Sequence, residues 1–255
     1  MQLPQNIDEV IAQLEQIIQD CIGRKSPLGY FAALYQKVTI AVKQGIANGR
    51  FENGERMERL DVLFANRYLE AYYRYQKGER ITAAWQIAFE AAERQDLLIL
   101  QQLFLGINAH INLDLGLATA ATMQQQPVEA IRSDFEMINA VLFELMREVQ
   151  TAIGMVSPLL FLVDVVSEKG DERLAAFSLK ASRIHAWDVA TKFHGMDSTA
   201  REAALLQLDQ AVVRLARLID TRGWLRRIIV RVVRRFESKN HVRVISNLHG
   251  APRQK

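Results

Sequence analysis

The sequence predicts an all-α, single-domain bundle of about eight to ten helices packed around one buried central helix. Three observations lead there. The five prolines, at positions 4, 27, 127, 158 and 252, all fall at edges of periodic segments, where a residue without an N–H fits a first helical turn or a linker. Between them, apolar residues recur at the 3, 4 spacing of helices with one buried face. One segment, Leu97 to Leu117, carries apolar residues on every side, the mark of a helix buried all round.

The elements follow in order. Ile7, Val10, Ile11, Leu14, Ile17, Ile18 and Cys21 form the first stripe, and Phe31, Leu34, Tyr35, Val38 and Val42 the second. Helices are expected at about 55–76, 82–95 and 97–122. Val128, Ile131, Phe135, Ile138, Leu142, Leu145 and Val149 make the clearest stripe of all. Ser157-Pro158 reads as a cap followed by a first-turn proline for a helix at 158–167, with another at 171–193. Asp197-Ser198 caps a helix at 198–219, and a further helix covers 222–237. His241 to Leu248 is expected as a last short helix, with Gly250 to Lys255 disordered. Gly106 to Leu117 also alternates with period two, but no turn signal or partner strand supports a strand there. Connections are short and no linker interrupts them, so one core serves the whole chain.

Composition narrows the class. Apolar residues make up 49% and charged residues 24% of 255, proportions of a globular protein long enough to bury one large core. No uncharged apolar run reaches the roughly 18 residues a membrane span needs, and Met1 to Val10 lacks the basic and apolar regions of a secretory signal. Cys21 is the single cysteine, which excludes an intrachain disulfide or a cysteine-based metal site. A soluble, cytoplasmic protein is the expectation.

The most informative feature is a polar run inside the buried helix: Asn108, His110, Asn112 and Asp114. At helical spacing His110 and Asp114 share a face with Leu103 and Gly106, while Asn108 and Asn112 share the opposite face with Gln101. Buried polar groups need partners. On 56–75, Arg67 projects from a face made by Leu60, Leu63, Phe64 and Ala71, beside a polar stripe of Arg59, Asn66, Glu70 and Tyr73. A guanidinium keeps its proton, so a buried Arg67 must meet a carboxylate. Arg183, His185 and Asp188 lie on apolar stretches of a later helix, and Asp134 borders the stripe of Ile131 and Ile138.

Three readings of this cluster stay open. His110 and Asp114, at i, i+4, have the spacing of metal ligands for a divalent ion, joined by Glu70 or Asp134, or of an acid and base pair. Alternatively, arginines and amides form the floor of a small-molecule pocket, with Arg59, Arg67 and Arg183 holding a polar or anionic ligand that His110 and Asp114 orient or activate. In the third reading the charges neutralise one another and fix helix register. No G-x-S-x-G, P-loop, dinucleotide or H-E-x-x-H motif is present, and His194, His241 and His249 read as surface or loop residues.

These residues carry a resemblance. The phrases Gly29-Tyr30-Phe31-Ala32-Ala33-Leu34-Tyr35, Arg56-Met57-Glu58-Arg59-Leu60-Asp61-Val62, Phe64-Ala65-Asn66-Arg67-Tyr68-Leu69 and Asn108-Ala109-His110-Ile111-Asn112-Leu113-Asp114-Leu115-Gly116 resemble an uncharacterised bacterial family of unknown function. Asp134-Phe135 with Ile138-Asn139, and Arg183 with Ala186-Trp187, extend the likeness, which spans roughly residues 7 to 218. The resemblance brings no activity. It implies that Arg59, Arg67, His110, Asn112, Asp114, Asp134, Asn139 and Arg183 form one set of motif positions. It also implies that His185 is not a required ligand, which leaves an oxygen-rich magnesium or manganese site ahead of zinc.

The C-terminus differs. Residues 222–255 hold ten Lys/Arg and one acidic residue, against 22 basic and 28 acidic residues before them, so the net +3 hides an asymmetry. Trp224, Leu225, Ile228, Ile229, Val232, Val233 and Phe236 occupy one half of a helix, and Arg226, Arg227, Arg231, Arg234 and Arg235 the other. The expectation is a basic amphipathic helix docked on the core of residues 1–221. An anionic membrane surface is the alternative partner, whereas no groove-reading fold or stacking pattern supports nucleic acid.

Overall fold

The computed structural model describes residues 2–159, 179–219 and 224–250, with side chains omitted at 146, 147 and 224–229. Among the described residues every regular element is a helix. They run α1 (Ile7–Arg24), α2 (Gly29–Ala47), α3 (Gly54–Gln76), α4 (Ala83–Glu93), α5 (Ile99–Asn108), a π-helical segment (Ala109–Leu115), α6 (Gly116–Thr122), a 3-10 turn (Val128–Ile131), α7 (Arg132–Val156), α8 (Leu179–Phe193), α9 (Ser198–Ile219), α10 (Trp224–Phe236) and α11 (His241–His249). The bundle that the stripes predict is present. The expected helix at 158–167, the start of the one at 171–193 and the tail beyond Gly250 lie outside the described residues.

Local chemistry starts several helices. Asn6, Asn53 and Asn240 accept hydrogen bonds from the backbone N–H three residues on, at 2.9, 2.9 and 3.1 Å, and Asp197 does the same for Ala200 at 2.9 Å. Each satisfies one of the donors that a helix start leaves unpaired. Other starts are capped from a distance. Asp209 of α9 accepts the Ala83 and Ala84 N–H groups at 2.8 and 2.9 Å, and Glu58 of α3 accepts that of Ile7 at 3.1 Å. Both oxygens of Glu237 take the Ile99 N–H at the head of α5. A carboxylate at the positive end of a helix is favoured electrostatically, and this role explains the burial of Asp209 and Glu237.

Together α5, the π segment and α6 make one rod through the centre of the bundle. Leu103, Leu105, Ala109, Leu113 and Ala120 are buried in the main core with residues of α1 to α4, each large aliphatic side chain contributing about 1.5–3 kcal/mol. Two glycines let neighbours approach the rod. A Cβ on Gly116 would stand 2.5 Å from the Ala186 carbonyl oxygen, and one on Gly106 2.6 Å from the Phe31 ring. Both contacts would force a shift, and at Gly116 the obstacle is backbone.

The C-terminal helices run into this same body. Val233, Val244, Ile245 and Leu248 are buried, Ser238 N–H donates to Val156 O at 2.8 Å, and Ser157 Oγ donates to Glu237 at 2.8 Å. His241 Nδ1 meets Tyr30 Oη at 2.6 Å, and His249 Nε2 lies 2.7 Å from Gln36 Oε1. His194 Nε2 sits against the carbonyls of Met123 and Gln126. These three histidines therefore tie the fold together rather than standing loose on its surface.

Candidate functional site

The polar run occupies the π-helical segment. Backbone angles remain right-handed helical at both junctions, φ −60° and ψ −50° at Asn108 and φ −64° and ψ −39° at Gly116, so the rod widens without breaking. π segments close i to i+5 hydrogen bonds, are rare, and recur at functional sites.

One face carries His110 and Asp114, 3% and 1% exposed. Arg67 Nε donates to Asp114 Oδ1 at 2.7 Å and Trp85 Nε1 donates to Asp114 Oδ2 at 2.8 Å. Arg67 thus meets the carboxylate that its position demands. His110 Nδ1 stands 3.5 Å from Asp114 Oδ2. Burial pushes the Asp114 carboxyl up, but the Arg67 charge and the His110 and Trp85 hydrogen bonds outweigh it and hold the group below its ordinary range. An ionised carboxylate only accepts, so Nδ1 must carry the imidazole proton and Nε2 a lone pair. Burial lowers the His110 pKa, the Asp114 contacts raise it by less, and the net shift is downward. The imidazole is neutral at pH 7.

Aromatic rings enclose it. Phe64 stacks on the imidazole with centroids 3.6 Å apart and planes 8° from parallel. Tyr35 stands edge-on at 4.4 Å, with Phe31, Trp85 and Tyr68 at 5.6, 5.9 and 6.2 Å. Inside this box His110 Nε2 has no hydrogen-bond partner among the described residues, and neither do the Tyr35 and Tyr68 hydroxyls. A cavity of about 20 Å³, lined by Phe31, Trp85 and Gly106 among others, shares two walls with the box and has room for about one water molecule.

Sequence reasoning missed Asp61. It is 6% exposed, its Oδ2 has no partner among the described residues, and burial followed by the nearby Glu58 charge raises its pKa to about 8. Burial first and Asp61 second also push the Tyr35 hydroxyl far above its usual value. The signal was available, since Asp61 lies on one helical stripe with Ala65, Tyr68 and Tyr72.

The opposite face is closed. Asn108 Nδ2 donates to Val212 O of α9 at 3.1 Å, and Asn112 Nδ2 donates to Asn108 Oδ1 at 3.0 Å and Ser182 Oγ at 3.2 Å. Gln101 reaches α9 as well, donating to Ile219 O at 3.1 Å.

Several expected members of the cluster are engaged elsewhere. Asp134 pairs with Arg56 at 2.6 Å and accepts the Glu52 and Asn53 N–H groups, capping the approach to α3 rather than facing His110. Glu70 is exposed and pairs with Arg74. Arg59 is exposed and donates to Thr122 O at 3.0 Å. Asn66 donates to Pro4 O at 3.1 Å, and Asn139 is exposed on α7. Arg183 is buried against Phe135, whose carbonyl it bonds. Its side chain belongs to the α7–α8 seam.

The divalent-metal reading lacks a donor set. Among the described residues no group of three or more His, Cys, Asp or Glu side chains is arranged to hold a metal. Asp114 already meets Arg67 and Trp85 through its two oxygens, so neither oxygen is free to ligate an ion.

Fold and site define a class: an all-helical protein with a histidine–aspartate pair buried on a π turn of its central helix. The chain belongs to a family of unknown function, DUF5995, which it matches over residues 7–222. No curated protein matches it, and no solved structure does.

Proposed function

We propose that the protein binds a small polar molecule at the His110 centre, through a donor N–H or O–H presented to Nε2. One observation carries this reading: an imidazole whose Nδ1 faces Asp114 keeps its Nε2 lone pair buried and, among the described residues, unpartnered. A buried polar atom without a partner is costly, and nature retains few of them without use. The same arrangement suits a general base, with Asp114 fixing the tautomer and stabilising the imidazolium formed on proton uptake. Phe31 and Trp85 wall both the box and the small cavity, so a ligand larger than water enters by displacing the Phe31 ring. Arg67 supports the site through Asp114, while Arg59 and Arg183 stand outside it. A thermal-shift panel of polar metabolites, run on wild type, His110→Gln and Asn112→Ala, tests the reading. Hits kept by Asn112→Ala and lost by His110→Gln support it. Hits common to all three proteins, or none, count against it.

A second reading rests on α10. No helix among the described residues is long and apolar enough to cross a membrane, but Val232 and Phe236 are 42% and 57% exposed beside exposed Arg231 and Arg235. An apolar pair flanked by cations suits contact with an anionic lipid surface. The apolar half expected from sequence is split, since Val233 is fully buried. Arg234 is tied to Gln95 O and Glu237, and the side chains of Trp224, Arg226 and Arg227 lie outside the described residues. Sedimentation with phosphatidylserine vesicles, lost on Phe236→Ser with Arg235→Glu, is the expected result. Equal sedimentation of both proteins removes this reading.

A further inference from the structure

Arg183 is 5% exposed, yet among the described residues no carboxylate pairs with it. Its guanidinium lies over the Phe135 ring, 4.4 Å from the centroid, and Nη2 donates to the Phe135 carbonyl. Nε has no partner. The acids flanking Phe135 in sequence are committed elsewhere, Asp134 to Arg56 and Glu136 to Arg132. The neighbouring Ser182 hydroxyl accepts from Asn112 and keeps its own proton to donate.

A lone buried cation is among the least favourable groups a fold can carry, because it loses its hydration and gains no opposite charge. One carbonyl and one ring face return part of that loss. Lys, Gln or Met would fill the same space without a buried fork of five donors. Desolvation alone draws the Arg183 pKa down to about 10, so the side chain remains charged at neutral pH.

We infer that the α7–α8 seam is an anion site, in which the Arg183 guanidinium takes a small oxyanion, a carboxylate or a phosphate, on its unpartnered Nε–H. Arginine is suited to such ligands because its planar donors match their oxygens. The site stands on different residues from the His110 centre and does not depend on the reading given to it.

The test is thermal unfolding of the full chain titrated with inorganic phosphate and, separately, acetate, with sodium chloride holding ionic strength constant. Wild type is expected to gain about 5 °C in Tm at saturation. Arg183→Met loses the response. Arg183→Lys keeps the charge but not the Nε–H fork, and is expected to need at least about tenfold more anion for the same shift. A response to phosphate alone identifies a phosphate site, and a response to acetate a carboxylate site. Equal responses in wild type and Arg183→Met overturn the inference, since the anion would then act elsewhere, the basic C-terminal helix included. So does a flat wild-type titration. If Arg183→Met fails to fold, the comparison with Arg183→Lys decides: an unchanged midpoint overturns the inference and a weakened one supports it.

Discussion

The two faces of the central helix carry the same kind of residue pair, polar side chains four positions apart, and they end in opposite conditions. On the amide face, Asn108 and Asn112 bond each other, Val212 O and Ser182 Oγ. On the imidazole face, Asp114 is fully engaged by Arg67 and Trp85, but His110 Nε2 and the Tyr35 and Tyr68 hydroxyls find no partner among the described residues. A closed network fixes how helices sit against one another. An open one, surrounded by rings, holds unspent hydrogen-bonding capacity where water is scarce. The difference separates what holds the rod in place from what the rod presents.

Removing Asp114 tests the contrast most severely. Asp114→Ala removes two hydrogen bonds to a charged group and leaves the buried Trp85 N–H without its acceptor, and is expected to cost about 3 kcal/mol or more in chemical denaturation, at about 1.5–3 kcal/mol per bond. Asn112→Ala is expected to cost about 1–3 kcal/mol while leaving ligand binding at His110 intact. If the two losses are equal, or if Asn112→Ala abolishes binding, the division between faces fails.

pH separates the imidazole from the buried acid beside it. The folded His110 pKa lies below its ordinary 6.5, so its contribution is present above pH 6.5 and is lost as pH falls below that value. Asp61 acts in the opposite sense. Its folded value of about 8 against 3.8 means that the folded state holds a proton the unfolded chain releases, so stability falls as pH rises from about 4 to 8. Each slope is at most about 1.4 kcal/mol per pH unit. Wild type should therefore decline more steeply between pH 6.5 and 8 than between pH 5 and 6.5, where the His110 slope opposes that of Asp61. Asp61→Asn should rise and then level off, and His110→Phe should decline throughout. Urea melts at pH 5, 6.5 and 8 read all three. The smallest effect is expected at Arg59, exposed with one bond to Thr122 O: Arg59→Ala should stay within about 0.5 kcal/mol.

Much of the fold was legible because burial writes a 3.6-residue period into the chain and prolines mark the breaks. The polar run stood out for the same reason, as hydrogen-bonding groups in a helix apolar on every side. Its π geometry did not, since an i to i+5 turn leaves no composition signature and is set by what packs around it. The distant caps were equally hidden. Asp134 lies 78 residues from Arg56 and Glu237 138 from Ile99, and no local pattern says that a carboxylate on one helix closes the start of another. That is why Asp134 looked like a partner for His110. Arg67 and Asp114 were both visible as charges needing partners, 47 residues apart, but only packing paired them. Arg183 was recognisable as a charge on an apolar face, and its lack of a counter-ion among the described residues became visible only once its neighbours were placed.

The account rests on His110 being a neutral acceptor. Long-range ¹H–¹⁵N correlation spectra of histidine-labelled protein at pH 7.5 test this directly. The account predicts that Nδ1 is protonated, that Nε2 is not, and that the imidazole takes up its second proton only below pH 6.5. A protonated Nε2, or an imidazolium at neutral pH, would contradict it.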